Sequence, residues 1–414
     1  MKWYKILRNR PTNVRRFFYF YRMLKYSFIF LVALFVATTT KASDVYNLEG
    51  TLGKSKIYMR FEDYTGDYPD EELRILDVRY FYSSSLKDIV LEGTREGSTF
   101  TFYFELDENA FKEKFVINKD VKGNFSGTWQ GSNGKTLKVL LHPIQLKGVA
   151  NNYDHLKLVQ EYKQTNSFEY VRSSKLKFKT DSTTLFQGGK FRWLSETHCA
   201  TFGFYLDSTF SQKTRDCVNP RLEEILVENS MNQLTCSSQW EYSSGTGIER
   251  SLSLNYLDKN LLSFTLFESW FCGGAHPDFG KSCYLLDLNT GKNYEFEELI
   301  AFDTSSVVYD ETNDNFTQYN DYRSNFFAPK IVSLLLEQEL ISQDYNSEDD
   351  PCMELYNSPE SWTYSEWEFT AEGIVFTPSV FRAARACETE TFLLPFSVLS
   401  KWKVSKFPYI FPNE

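Results

Sequence analysis

The sequence predicts an α+β protein. Its amino-terminal part should be all-β, with about eight short antiparallel strands that close into a barrel or pack as a sandwich, and a disulfide-containing α+β domain should follow. Three observations support this prediction. Apolar and polar residues alternate along much of residues 45–143. Beyond residue 146, helix-like and strand-like patterns are intermixed without a regular βαβ alternation, which favours an α+β arrangement. All seven cysteines lie in this second half.

The first 42 residues have the composition of a secretory signal. They contain nine Lys or Arg and no Asp or Glu, and the run from Ser27 to Ala37 is almost wholly apolar. A basic start, a short apolar run and a small residue such as Ala42 are typical of a signal peptide. The run is well short of the roughly 20 apolar residues that a membrane-spanning helix needs. We therefore expect a periplasmic or secreted bacterial envelope protein that starts near Ser43 and has no stable membrane insertion. An uncleaved anchor is the alternative, and Met23 is a second candidate start.

The expected mature chain is strongly acidic. Without residues 1–42 it has 36 Lys plus Arg against 55 Asp plus Glu, a net charge of −19. Such a surface repels phosphate backbones and anionic lipid, which argues against nucleic acid as a partner and favours a cationic one. The chain is also too long for one ordinary hydrophobic core. We expect two domains, residues 43–145 and 146–414.

Short alternating segments predict the strands of the first domain. In KIYMRF, for example, Ile57, Met59 and Phe61 share one face, which is the pattern of a half-buried strand. Eight such strands would leave room for one small ligand at most if they closed into a barrel. They carry no histidine-rich or carboxylate cluster, so a structural or binding role is favoured over catalysis. The segments lie near residues 45–51, 55–62, 75–82, 86–93, 98–106, 111–118, 122–129 and 135–142.

The second domain mixes helices and strands. One helix is predicted over residues 219–234, with Asn219 as its cap and Pro220 in its first turn. A second helix is predicted over residues 326–341. The predicted strands lie near residues 172–179, 197–207, 251–270 and 283–288, with two more within 367–383 and 391–402 before a closing helical turn.

The cysteines indicate disulfides in the second domain, as expected of an exported chain. None of their spacings is a CxxC pair, so zinc ribbons and thioredoxin-like redox sites have no support. The odd number leaves a free thiol or an intermolecular link. We predict a bridge between Cys272 and Cys283, because a hairpin could bring them opposite each other. The remaining connectivity stays open.

The segment from Trp270 to Lys292, WFCGGAHPDFGKSCYLLDLNTGK, is the most distinctive part of the chain. Its Gly-Gly pair allows a tight turn where a Cβ atom would clash. Its Asn-Thr-Gly run is typical of a second turn. The candidate binding residues are Trp270, Gly273, Gly274, His276, Asp278 and Phe279.

His276 is the candidate for chemistry within this segment. A metal site would need further ligands, but His142, His155 and His198 are scattered without ligand spacing. A general base would need a nucleophile and an orienting acid. Asp278 could supply the acid, yet no G-x-S-x-G elbow occurs, and a cysteine in a disulfide cannot attack. We therefore predict a hydrogen-bonding or partner-contact histidine, with no catalytic residue, cofactor or metal.

The same segment resembles the carboxy-terminal domain of the RsiV-like family, typified by a lysozyme-binding anti-sigma factor. In that family a strand enters a GGAH turn, the return strand carries a DLxTGK hairpin, and an acidic helical stretch follows. The corresponding residues here are Gly273–His276, Asp287–Lys292 and Glu295–Ile300. The resemblance extends over about residues 160–405.

A late bend of the family also has a counterpart. Phe381, Ala384 and Glu388 stand near the positions where the family usually has a tyrosine, an alanine and a glycine. The order of elements is kept, while the detail of the bend differs.

The resemblance implies a non-enzymatic binding or sensing module of the bacterial envelope. In the anti-sigma factors the domain is a receptor surface for a strongly cationic enzyme, and the acidic mature chain is compatible with such a partner. The expected partner is a cationic protein such as lysozyme, or a cell-wall glycan. Signalling across the membrane is not expected, because residues 1–22 are too short for a sigma-binding segment. The alternatives are a peptidoglycan- or polysaccharide-modifying enzyme, an accessory domain of one, and a purely structural envelope protein.

Overall fold

The computed structural model describes residues 44–64, 74–107, 110–236, 247–273, 276–344 and 350–413. Residues 42–414 group into one unit. The predicted signal, residues 1–42, lies outside the described residues. Across the described residues, no helix combines the length and the apolar character that crossing a bilayer requires.

Within the described residues, the amino-terminal region forms a closed barrel of eight antiparallel strands. Each strand pairs with the next along the chain, and the first also pairs with the last, where Gly50 lies opposite Leu141. The predicted strands are therefore confirmed, and the chain adopts the barrel rather than the sandwich. The strands are β1 Asp44–Leu52, β2 Ser55–Asp63, β3 Arg74–Tyr82, β4 Ile89–Glu96, β5 Thr99–Asp107, β6 Ala110–Lys119, β7 Phe125–Gly131 and β8 Thr136–Pro143.

The alternation that predicted the strands places one set of side chains inside the barrel. Ile57, Met59 and Phe61 of β2 are fully buried. The ring of Phe61 lies 4.9 Å from that of Phe102 on β5, measured between centroids. Side chains can fill the interior of an eight-stranded barrel, and aromatic and aliphatic residues do so here. Among the described residues, the interior is therefore a hydrophobic core.

The outer face of the barrel packs against helices of the second region. These helices are α1 Lys157–Thr165, α2 Ser167–Ser173 and α3 Gln212–Thr235. Tyr58 and Phe81 of the barrel share one buried cluster with Phe168 of α2 and Met231 of α3. The barrel and the helices thus share a hydrophobic interface. The predicted domain boundary at residue 145 stays a prediction.

The second region contains three antiparallel sheets of three strands each within the described residues. In the first sheet β10 is central, in the second β13, and in the third β16. Together with the helices they form the expected α+β fold. The strands are β9 Phe178–Phe186, β10 Gly189–Glu196, β11 Phe202–Leu206, β12 Gly247–Leu257, β13 Leu261–Phe271, β14 Asp278–Asp287, β15 Glu366–Phe369, β16 Gly373–Thr377 and β17 Phe392–Pro395. The further helices are α4 Phe296–Leu299, α5 Phe316–Tyr322, α6 Ala328–Glu337, α7 Pro351–Asn357 and α8 Phe396–Leu399.

Several boundary predictions are wrong. The strand predicted near residues 197–207 begins at residue 202, and the strand predicted near residues 283–288 begins at residue 278. Helix α3 begins at Gln212 and not near Pro220, because the Ser211 side chain caps it by accepting a hydrogen bond from the Thr214 amide. Asn219 instead uses its amide group to bind the backbone N–H and carbonyl of Leu206, at 2.8 and 3.2 Å. The strand predicted near residues 172–179 is also wrong at its start, since α2 runs to residue 173 and β9 begins at residue 178.

Candidate functional site

The hairpin of β13 and β14 carries the residues that the sequence indicates as a binding site. Trp270, near the end of β13, pairs with Asp278 at the start of β14. Gly273 has a φ angle of +97°, a backbone conformation that favours glycine. His276 is exposed to solvent. Gly274 lies outside the described residues. We call residues 270–273 and 276–279 the hairpin tip.

The predicted bridge between Cys272 and Cys283 is wrong. Cys283 lies opposite Thr265 in the hairpin register, and Cys272 is seven residues further along the chain. At about 3.3 Å per residue these positions are roughly 23 Å apart, whereas a disulfide needs Cα atoms within about 7 Å. Cys272 is instead bonded to Cys236, the residue that ends α3, with a Cα–Cα distance of 4.7 Å.

The remaining cysteines form one more bridge. Cys352 is bonded to Cys387, and the other three cysteines are free thiols. Burial raises the pKa of Cys283 to about 12, and burial also raises the pKa of Cys199. Because the thiolate is the reactive form of cysteine, these two thiols are poor nucleophiles at neutral pH.

Two arginines hold the hairpin tip from the side. They belong to a 3-10 helix, Arg382–Thr389, that we call the arginine segment. Arg382 donates a hydrogen bond to the carbonyl of Pro277 at 2.7 Å. Arg385 donates to the Asp278 carboxylate at 2.8 Å and to the carbonyl of Phe279, and its guanidinium lies 4.4 Å from the centre of the Phe279 ring. The tip and the arginine segment are thus joined by charge-assisted hydrogen bonds, which are stronger than neutral ones.

These contacts also balance the charges around the tip. The Asp278 carboxylate, a candidate to orient His276, is bound by Arg385 and lies 3.9 Å from Arg382. Arg385 also pairs with Glu388 at 2.9 Å, so two carboxylates offset the two guanidinium groups. The arrangement makes a neutral, fixed surface and does not give His276 the oriented acid that a general base needs.

Aromatic side chains surround this surface. Phe279 packs near Phe267, with ring centroids 6.0 Å apart. The indole of Trp270 lies against Gly280, where an added Cβ atom would stand 3.6 Å from it. Phe381, next to the arginine segment, has 65% of its surface exposed. An exposed aromatic ring beside arginines is typical of residues that anchor protein interfaces.

The second turn of the motif is structural. The Asp287 carboxylate accepts hydrogen bonds from the backbone amides of Asn289 and Thr290, at 2.7 and 3.2 Å. Gly291 has a φ angle of +75°, and a Cβ atom there would stand 2.3 Å from the carbonyl oxygen of Cys217 on α3. Glycine is therefore required where this turn packs against the helix.

The other histidines lie apart from the tip residues in the fold. His155 is bound to Glu223 at 2.7 Å, and His198 is bound to Glu196 at 2.8 Å. Within the described part of the chain, no group of three or more His, Cys, Asp or Glu side chains could hold a metal ion. The described residues of the site therefore provide contacts and fixed charges.

The structure adds three residues that sequence reasoning did not include in the site: Phe381, Arg382 and Arg385. They are separated from the tip by more than 100 residues along the chain, so no local pattern links them to it. All three lie in or beside the late bend that resembles that of the RsiV-like family. That resemblance was the signal in the sequence that could have pointed to them.

Comparisons with known proteins find little similarity. No protein-family model and no curated protein matches the chain. Among solved structures, the chain is similar to the crystal structure of a DUF3298 family member from Bacteroides fragilis. The TM-score is 0.32 and the identity 12%, over 56% of this chain and 94% of that chain. A likeness this distant carries no argument about function, and membership of the RsiV-like family stays a prediction.

Proposed function

We propose that this chain is an exported binding module of the bacterial envelope, whose hairpin tip and arginine segment contact a cationic protein partner. The observation that carries the proposal is the rigid support of the tip. One disulfide fixes Cys272 to the end of α3, a second fixes Cys387 within the arginine segment, and Arg385 joins the two parts. A surface fixed before binding loses little conformational freedom when a partner docks.

The charge of the chain supports a cationic partner. The net charge of −19 for residues 43–414 would attract a basic protein over several ångströms and raise its association rate. The tip and the arginine segment together are close to neutral, and the exposed ring of Phe381 lies beside them. Long-range attraction would thus come from the acidic chain, and short-range contact from Phe381, Phe279 and His276.

The disulfides support export. Bridges of this kind form and persist in oxidising compartments such as the periplasm and the cell exterior. Their presence agrees with the signal that the sequence predicts for residues 1–42.

The proposal can be tested with lysozyme as a cationic probe. Binding of residues 43–414 to lysozyme is measured by biolayer interferometry, beside an acidic protein of similar size and soluble peptidoglycan fragments. Phe381→Ser should weaken lysozyme binding by roughly tenfold or more, as for an interface anchor. Ile410→Ser is the matched control, since Ile410 is 76% exposed, and it should leave binding unchanged.

The association rate should also fall as salt is added, because screening shortens the reach of the charge. Equal effects of both substitutions would refute the tip as the contact surface. Binding to peptidoglycan fragments without binding to lysozyme would refute a protein partner.

A further inference from the structure

A polar groove lies between the sheet of β9, β10 and β11 and the first half of α3. Its volume is about 540 Å³, within the range of small-molecule sites in proteins. The strands contribute Arg192 and Tyr205 to its wall, and Asp207 follows β11. Helix α3 contributes Gln212, Arg215, Asp216 and Glu223. None of these residues belongs to the hairpin tip, so the groove is independent of the function proposed above.

The carboxylates of the groove have partners within the protein. Glu223 accepts a hydrogen bond from the Tyr205 hydroxyl at 2.9 Å and is bound to His155 at 2.7 Å. Asp216 accepts a hydrogen bond from the amide of Gln212. Asp207 accepts a hydrogen bond from the Ser208 amide at 2.7 Å and lies 3.7 Å from the Lys190 ammonium. Each carboxylate of the groove therefore has a partner within the protein.

The two arginines of the groove are not compensated in this way. Among the described residues, the hydrogen-bond acceptors of Arg215 are all neutral oxygens. They are two backbone carbonyls, at 3.3 and 3.4 Å, and the Gln212 side chain, at 2.6 Å. The Nε atom of Arg192 is buried and has no hydrogen-bond partner among the described residues. Within that part of the chain, neither guanidinium is ion-paired with a carboxylate. Arg192 also lies 5.7 Å from the centre of the Tyr205 ring. Two guanidinium groups without a carboxylate partner at one groove favour an anionic ligand.

We propose that this groove binds a small sugar acid, with its carboxylate held by Arg192 and Arg215. The planar guanidinium group matches a carboxylate through two parallel N–H···O hydrogen bonds. The Tyr205 hydroxyl oxygen and the Gln212 amide retain hydrogen-bonding capacity, which suits the hydroxyl groups of a sugar ring. The groove volume accommodates a ligand of this size.

Isothermal titration calorimetry with three probes tests the proposal. N-acetylmuramic acid carries a carboxylate that N-acetylglucosamine lacks, and inorganic phosphate is an anion without a sugar. N-acetylmuramic acid should bind at least about tenfold more tightly than either other probe, as expected for charged hydrogen bonds. Failure of N-acetylmuramic acid to bind at millimolar concentration would overturn the proposal, and so would equal binding of N-acetylglucosamine or phosphate.

Substitutions identify the groups involved. Arg192→Gln and Arg215→Gln should each weaken binding of N-acetylmuramic acid by about tenfold or more. Arg221→Gln is the matched control, because Arg221 is also on α3 but is paired with Glu224 at 2.7 Å, and its affinity should equal that of the wild type. Thermal melting checks that each variant is folded. An unchanged affinity in both groove variants would exclude this binding mode.

Asp216→Asn separates an anionic ligand from a zwitterionic one. Removing a negative charge from the groove should strengthen the binding of N-acetylmuramic acid, since like charges repel. Weaker binding in this variant would mean that Asp216 attracts a positive group, and would overturn the assignment to a simple anion.

Discussion

Replacing Arg172 with methionine should destabilise the protein by about 3–5 kcal/mol, the range for breaking one half of a buried ion pair. The side chains of Arg172 and Asp88 are both fully buried and bound to each other where the barrel meets α2. The Arg172 guanidinium also lies 4.5 Å from the ring centre of Phe81 and 5.0 Å from that of Phe168. Methionine can keep the contacts with these rings, so the substitution mainly removes the charge.

The magnitude follows from what remains around Asp88. Arg79 still lies 3.3 Å from the carboxylate, but it is partly exposed. Burial raises the pKa of Asp88, and Arg172 and Arg79 oppose that shift. Without Arg172 the pKa should rise further. When the pKa of a carboxyl group is higher in the folded than in the unfolded state, the free energy of unfolding falls as the pH rises toward the folded-state pKa. The loss of stability in Arg172→Met should therefore be larger at pH 7 than near pH 4.

Urea unfolding followed by tryptophan fluorescence measures this deficit. The control is the double variant Arg172→Met with Asp88→Asn, which removes both charges of this pair and leaves the buried Glu169, 3.4 Å from Arg172. Its loss should be smaller than the sum of the two single losses, because both single substitutions remove the same contact between Arg172 and Asp88. A deficit below about 1 kcal/mol for Arg172→Met, or additive losses, would refute this account of the interface.

Alkylation of the denatured, unreduced chain should add three labels, and alkylation after reduction should add seven, because two bridges protect four cysteines. Mass spectrometry counts the labels, and five without reduction would eliminate one bridge. Gly291→Ala should lower the melting temperature more than Gly188→Ala. Both residues have positive φ angles, but a Cβ atom would overlap the Cys217 carbonyl at position 291 and meet nothing within 4 Å at position 188. Equal shifts in melting temperature would contradict the steric argument. Glu196→Gln should cost about 1–3 kcal/mol at pH 7. Burial alone would raise the pKa of Glu196, but hydrogen bonds from His198 and backbone amides outweigh it and lower the pKa. The stability that this carboxylate provides is therefore present at neutral pH and lost as the pH falls through its folded-state pKa. The difference from wild type in unfolding free energy should shrink as the pH falls below the ordinary pKa of a glutamate, and a constant difference would argue against this cause.

Local sequence was sufficient for the barrel strands and the hairpin turns. Ile57, Met59 and Phe61 are two residues apart, and any extended backbone places such residues on one face. The turns can also be predicted locally, because glycine, here at positions 273 and 291, adopts positive φ angles readily in any surroundings. Trp270 and the other tip residues could therefore be proposed as a site before their surroundings were known, and their role in binding stays a prediction.

The sequence alone determined the extended segments of the barrel, the helices within residues 219–234 and 326–341, and where the hairpin turns, since these properties depend on neighbours within a few residues. Tertiary structure decided which distant residues are bonded to each other. Cys272 joins Cys236, 36 residues away, and Arg385 binds Asp278 across 107 residues. Helix α3 also extends beyond its predicted start because of a cap at Ser211. Residues that are distant in the chain come into contact only when separate helices and strands pack together. The spacing of apolar residues in one segment shows which of its faces is buried, but not which other element covers that face.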